Sequence, residues 1–226
     1  MSLPLLILRP IEGAQKTAEK ALRLGLSPVV DPLFEIRPVP WNAAPADQYD
    51  AIMFTSANAI KMAGSELCKY TPLKALAVGT ATKQAAETIG FEIVQTGKSG
   101  VQSLFDMLPE AGFDRILRLS GTEYTAVKSE RLIDQVAVYE SVCTGLGEHA
   151  QTALERSAVI LVHSTRAAEL LVAEMARLNI SAQKNCVVAI SPKVAEAAGN
   201  GWKSIDVAEH PTDEALLTQA ARLCSV

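Results

Sequence analysis

Side chains able to do chemistry are sparse in this chain, and those that recur are hydroxyls and amides placed where an apolar run ends. They are Thr55, Ser56 and Asn58 in "IMFTSANAI", Gly79, Thr80 and Thr82 in "AVGTATK", and Gly121 and Thr122 in "RLSGTE". The later ones are Ser164 and Thr165 in "VHSTRAA", Ser191 in "AISPKVA" and Thr212 in "HPTDEALL". A strand that hands over to a helix through such a residue leaves backbone N–H groups unpaired, a partial positive charge and a side-chain cap. Such ends hold anions. Each alone reads equally well as an ordinary cap, because Ser and Thr cap helices throughout α/β proteins. The set says more, since Lys61, Lys83, Arg166 and Lys193 lie within or just beyond these turns, where Asp or Glu would suit the helix dipole better. Cations there favour one anionic ligand shared among several turns. The start at Thr212, followed by Asp213 and Glu214, obeys the ordinary rule, and Glu123 is read as early in its helix.

The common catalytic signatures are missing. There is no G-x-G-x-x-G, no G-x-x-x-x-G-K-[ST], no G-x-S-x-G and no H-E-x-x-H, which argues against dinucleotide, P-loop, α/β-hydrolase and metalloprotease chemistry. His163 precedes Ser164, but neighbours on a strand point to opposite faces, so the two form no dyad. The histidines (His149, His163, His210) are far apart and lack metal-ligand spacing. Cys68, Cys143, Cys186 and Cys224 stand singly and read as free thiols in a reducing compartment. A net charge of −4 and no basic block speak against nucleic acid. The opening "MSLPLLILRPIEG" reads as a first strand rather than a signal peptide, and no apolar stretch reaches the ~18 residues of a membrane span. With 226 residues, 49% of them hydrophobic, the chain has material for one large or two small cores.

The elements that must position these turns alternate. Short aliphatic runs ("LLILR", "PVVDPLFEI") exchange with alanine-rich helical stretches ("GAQKTAEKALRLG"), which predicts an α/β fold with parallel sheets. The pattern also repeats at long range. "AIMFTSANAIKMA" is echoed by "AVILVHSTRAAELL", and "LAVGTATKQAAETIGFEIV" by "VVAISPKVAEAAGNGWKSIDVA". A third pairing sets "LLILRPIEGAQKTAEKALRLG" and "DPLFEI" against "RILRLSGTEYTAVKSERLIDQVAVYES", each read as a strand closing on Arg, a Gly-containing turn, a helix and a second strand. The order of the copies predicts two similar domains, one discontinuous (1–36 plus 145–226) and one contiguous (42–136). Linkers at 37–41 and 137–144, around "FEIRPVP" and "VAVYES", would pair as a two-stranded tether.

Taken in order, "FTSANAI", "AVGTATKQAAETIGFE", "VAVYES", "AISPKVAEAAGNGW" and "AEHPTDEALL", with "LRP" near the start, resemble the uroporphyrinogen-III synthase family over essentially the whole chain. The resemblance implies two flavodoxin-like domains joined by a β-ladder, with substrate in the cleft between them. It implies hydroxymethylbilane as substrate, a linear tetrapyrrole whose eight carboxylates would suit the helix starts and their cations. Hydroxyl loss gives an azafulvene cation. Ring D attacks through its substituted position, and the spirocyclic intermediate reopens and recloses with ring D inverted. The unassisted reaction leads to the uninverted isomer, so the enzyme would chiefly select a conformation.

By resemblance, Ser56, Thr82, Ser191, Thr212 and Arg9 match the family's hydroxyl and basic positions, with Thr55, Asn58 and Ser164 beside them as substrate-binding candidates. Arg9 serves equally well to stabilise the end of its strand. Tyr139 in "VAVYES" matches the family tyrosine at the domain junction, either as donor to the leaving hydroxyl or as a packing residue. The resemblance implies no cofactor and no metal. It implies a cytoplasmic monomer, free of membrane and nucleic acid, that meets the preceding pathway enzyme only transiently. The rival readings are a non-catalytic two-domain module binding a small anion or tetrapyrrole, and a degenerate family member acting as a partner protein.

Overall fold

In the computed structural model, which describes residues 3–97 and 100–224, the chain divides into two compact units, Met1–Glu35 with Val142–Val226, and Ile36–Ser141. The chain opens with β1 (Pro4–Ile7), α1 (Ile11–Arg23), β2 (Ser27–Val30) and β3 (Phe34–Pro38). Its middle carries β4 (Ala51–Phe54), α2 (Ala57–Met62), β5 (Lys74–Val78), α3 (Thr80–Thr88), β6 (Ile93–Gly97), α4 (Val101–Asp106), β7 (Arg115–Gly121) and β8 (Leu132–Cys143). The last third carries α5 (Glu148–Arg156), β9 (Val159–Val162), α6 (Thr165–Arg177), β10 (Cys186–Ala189), α7 (Pro192–Ala197), β11 (Ser204–Val207) and α8 (Asp213–Cys224).

Central strands such as β4, β9 and β10 are buried at every residue, as expected of parallel strands covered on both faces. Alternation then sorts the side chains. Leu6 and Leu8 pack with Leu154, Leu171 and Val194 on one face, and Leu5 and Ile7 with Ala14, Ala21 and Leu217 on the other. The middle unit is built the same way, with Ile52 and Phe54 against Ala59 and Ala86, and Met53 against Leu104 and Phe105.

The sheet orders are β11-β10-β9-β1-β2 and β3-β8-β7-β4-β5-β6, so each sequence repeat takes the same place in its own sheet. β9, β10, β11, β1 and β2 answer to β4, β5, β6, β7 and β8, all in parallel pairing. Numbered within the discontinuous unit, the order is 2-1-3-4-5, the flavodoxin-like arrangement, and its switch point falls between β1 and β9. The counterpart in the middle unit falls between β7 and β4.

β3 lies beside β8 at the edge of the six-stranded sheet. Val39 N–H donates to Val138 and Thr144 N–H to Leu33, so residue numbers rise along one strand as they fall along the other. The pair is antiparallel.

One expectation from the repeat fails. The stretch expected to form a helix between β7 and β8, including Thr122 and Glu123, is an extended loop over residues 122–131. Its apolar residues lack a helical stripe, and Thr122, Thr125 and Val127 are β-branched. Other bonds hold it. Gln102 accepts from Lys128 N–H and donates to Lys128 O, Arg131 Nη2 donates to Pro109 O at 2.6 Å, and Val127 packs on the Met53 core.

Asn185 ties the discontinuous unit together from a fully buried position. Its Oδ1 accepts from Ala158 N–H at 2.8 Å, and Nδ2 donates to Leu154 O at 3.0 Å and Ser181 O at 3.1 Å. Asn185→Ala leaves these three backbone groups without their partner, and a loss of about 2–3 kcal/mol is expected, read as a lower urea midpoint with unchanged slope.

Candidate functional site

Ligands of open α/β sheets lie beyond the carboxyl ends of the strands, at the switch point. In the middle unit that place is a pocket of about 280 Å³. Thr55 and Ser56 line it from the end of β4, Arg118 and Gly121 from β7, Tyr124 from the loop that follows, and Tyr139 from β8. Of the substrate-binding and catalytic candidates, Thr55, Ser56 and Tyr139 therefore meet here.

Tyr139 reaches the pocket through an irregularity. Ser120 opposes Ala137, but Gly121 opposes Tyr139, so Val138 is an extra residue in the ladder. Val138 turns into the core, and the Tyr139 ring lies on Gly121. A Cβ at residue 121 would stand 2.8 Å from ring Cε2 and 3.2 Å from the hydroxyl oxygen, so only glycine admits this ring position. Thr122 N–H donates to Tyr139 O at 2.9 Å and fixes the backbone.

Arg118 is the residue that sequence reasoning missed. It sits inside the apolar run "RILRLSG", 2% exposed, and its Nε is buried without a partner among the described residues. Its Cζ lies 5.4 Å from the centre of the Tyr124 ring. Burial pulls its pKa down and the nearby Tyr124 opposes this, yet a guanidinium keeps its proton at neutral pH. The signal was available as a cation interrupting a buried strand.

The remaining candidates lie elsewhere. Asn58, not part of the pocket lining, donates its backbone N–H to Ser56 Oγ at 3.2 Å, the bond by which Ser56 caps α2. Thr82 is 4% exposed on α3 and is not part of the pocket lining. Lys83 stands 3.6 Å from Glu87, and Lys61 is exposed in the last turn of α2. In the discontinuous unit Ser164 caps α6 by accepting from Ala167 N–H at 3.1 Å, and Thr212 Oγ1 accepts from Ala215 N–H at 3.2 Å. Ser191 precedes α7 with no side-chain cap bond, Lys193 is exposed, and Arg166 stacks over Phe34 at 4.9 Å.

At the switch point of the discontinuous unit the chain neutralises itself. Asp213, at the start of α8, accepts from Arg9 Nη1 at 2.8 Å and from the Thr17 hydroxyl at 2.8 Å, with Lys20 Nζ at 3.8 Å. His163 Nε2 lies 3.0 Å from the same carboxylate, and Nδ1 is buried without a partner among the described residues. Burial, then the charge of Arg9, holds His163 below its ordinary pKa against the pull of Asp213. The imidazole is therefore neutral at pH 7 and donates through Nε2. Burial works against the charge of Asp213 too, but the Thr17 bond, Arg9 and His163 outweigh it and lower its pKa.

Fold and site together define a protein of two doubly wound α/β units, one of which keeps a buried cation in a pocket at its switch point. Residues 15–218 match the family model described as uroporphyrinogen-III synthase HemD, and the chain belongs to that family. These are cyclising lyases of heme biosynthesis that act on hydroxymethylbilane, and the activity that membership carries is uroporphyrinogen-III synthesis. A uroporphyrinogen-III synthetase from Helicobacter pylori superposes with a TM-score of 0.68 at 18% identity, over 99% of this chain and 100% of its own. A mutant uroporphyrinogen III synthase from Thermus thermophilus superposes with a TM-score of 0.51 at 13% identity, over 98% and 99%. At such identities both speak for the fold. No curated protein matches the chain by sequence.

Two outcomes are expected. Gly121→Ala drives the Tyr139 ring from its place and lowers turnover at least tenfold, while the urea midpoint shows a loss of about 1–2 kcal/mol. A folded Gly121→Ala variant with full turnover would separate ring position from activity. The second concerns pH. Because His163 binds its proton less readily folded than unfolded, stability is complete above its unfolded pKa of about 6.5 and declines as pH falls below it. Asp213, also depressed, adds a further loss as pH falls below about 4. Urea midpoints at pH 7.5 and 5.5 should show the first decline in the wild type and a smaller one in His163→Gln.

Proposed function

We propose that the middle-unit pocket is where the reacting end of hydroxymethylbilane is held during closure to uroporphyrinogen III. The observation that carries this reading is the meeting of Tyr139, Ser56 and Thr55 with Arg118, a buried cation whose Nε has no hydrogen-bond partner among the described residues, at the switch point. Tyr139 donates its phenolic proton to the hydroxyl leaving ring A, which departs as water and leaves the azafulvene cation. Ring D attacks that carbon through its substituted position, and the spirocyclic intermediate fragments and recloses with ring D inverted. The proton lost as the final pyrrole regains aromaticity returns to the phenolate. A phenol is a weak acid, so the greater part of the acceleration comes from holding one conformation of a chain already prone to cyclise.

The hydroxyls of Thr55 and Ser56 and the neighbouring backbone N–H groups receive carboxylates of the substrate. The turns at Thr82, Ser164, Ser191 and Thr212 are proposed for others, with Lys61, Lys83, Arg166 and Lys193 adding positive potential. The exposed thiols of Cys68 and Cys143, both free, support action in a reducing cytoplasm. A monomer suffices for this reading.

The test is isomer analysis. Hydroxymethylbilane is generated in situ, the protein is added, and the oxidised products are separated into types I and III. Type III is expected to predominate, and type I dominating at high protein concentration would leave a binding role. Tyr139→Phe is expected to lower turnover about 10- to 100-fold while type III remains the product. Unchanged turnover in that variant would make Tyr139 a packing residue.

A further inference from the structure

The two sheets can be compared position by position. Ile7 pairs with Leu161 in one and Arg118 with Met53 in the other, and Leu161 and Met53 are the same position of the strand repeat. Arg118 therefore occupies the place of Ile7, which is fully buried in an apolar core. The architecture does not need a charge there. Burying a guanidinium without a partner is costly, and a group retained at that cost has a use outside the fold.

The comparison also shows what is missing. In the discontinuous unit the carboxylate comes from Asp213, at the start of the helix after β11. The corresponding helix after β6 is α4, which starts at Val101 after Gly100 and has no acid in its first turn. Glu123 lines the same pocket and has an interaction of its own. Tyr124 covers one part of the guanidinium, and the side chain otherwise lines the pocket.

We infer that Arg118 is a binding residue whose guanidinium fork takes one carboxylate of the substrate inside the middle-unit pocket, the ligand supplying the counter-charge that Asp213 supplies within the other unit. The inference rests on the polycarboxylate reading of the ligand given above. A guanidinium presents two parallel N–H donors to a carboxylate, and in a site shielded from water such a pair fixes orientation as well as affinity. Orientation is what separates the inverted product from the uninverted one.

Arg118→Met keeps the length of the stem and removes the charge, and Arg118→Lys keeps the charge and removes the fork. The probe is uroporphyrin III, the oxidised octacarboxylate product, titrated by fluorescence at low and at 0.5 M salt. Thermal unfolding and KM and kcat for in situ hydroxymethylbilane are measured on the same samples. Arg118→Met is expected to melt no lower than the wild type, to bind uroporphyrin III at least tenfold more weakly with a shallower salt dependence, and to raise KM more than it lowers kcat. Arg118→Lys is expected to fall between the two. A folded Arg118→Met that binds as tightly as the wild type overturns the inference. Should that variant fail to fold, undiminished affinity in Arg118→Lys overturns the fork. A wild type that neither binds uroporphyrin III nor makes type III defeats the proposed function itself, whereas an active wild type with an indifferent Arg118→Met defeats only this inference.

Discussion

A backbone N–H at the carboxyl end of a parallel sheet has no strand left to pair with, and the structure around both switch points answers to that constraint. In the discontinuous unit the chain brings its own carboxylates. Asp31 accepts from Gly147 N–H at 3.3 Å and Ala150 N–H at 3.1 Å at the start of α5, and Asp213 gathers Arg9, Thr17 and His163. In the middle unit Ser56 caps the turn after β4, as Ser164 caps its counterpart after β9, but the first turn of α4 holds no acid where α8 has Asp213. One architecture is thus built twice with opposite electrostatic outcomes. The first copy is closed upon itself, and the second keeps a cation in reserve beside a tyrosine.

The apolar frame makes such an arrangement tolerable. Strands buried on both faces give each unit two cores, one per face of the sheet, and these carry the stability against which a buried unpaired cation must be set. The same frame fixes Tyr139. Its ring position follows from one extra residue, Val138, which the core accepts, and from one missing Cβ, at Gly121.

Much of this was legible in the chain because parallel strands advertise themselves as unbroken aliphatic runs, and because the runs recur. "IMFTS" and "ILVHS" share a place in their sheets, and that equivalence is what the reading of two similar units rested on. The repeat misled where it was weakest. Residues 122–131 follow a strand as α1 does, but side-chain bonds from Gln102 and Arg131 and the packing of Val127 hold them out of a helix. Arg118 escaped notice for a different reason. Arg118 reads as the close of a strand, whereas it lies inside β7, and its meaning emerges only when the sheet registers give it the place that Ile7 holds in the other sheet. The bond between His163 and Asp213 was hidden likewise, since fifty positions of chain separate them.

The placement of the middle unit within the sequence also governs how the chain is made. β1 lies inside its sheet, flanked by β2 and β9, and Leu5 has Val159 for a neighbour. As the polypeptide leaves the ribosome, the middle unit is complete once β8 has emerged, while β1 and β2 remain an apolar pair with one open edge until β9 arrives. The nascent protein therefore carries a finished module on an unfinished one. Its exposure to aggregation and to chaperones is concentrated in that interval and in β1 and β2.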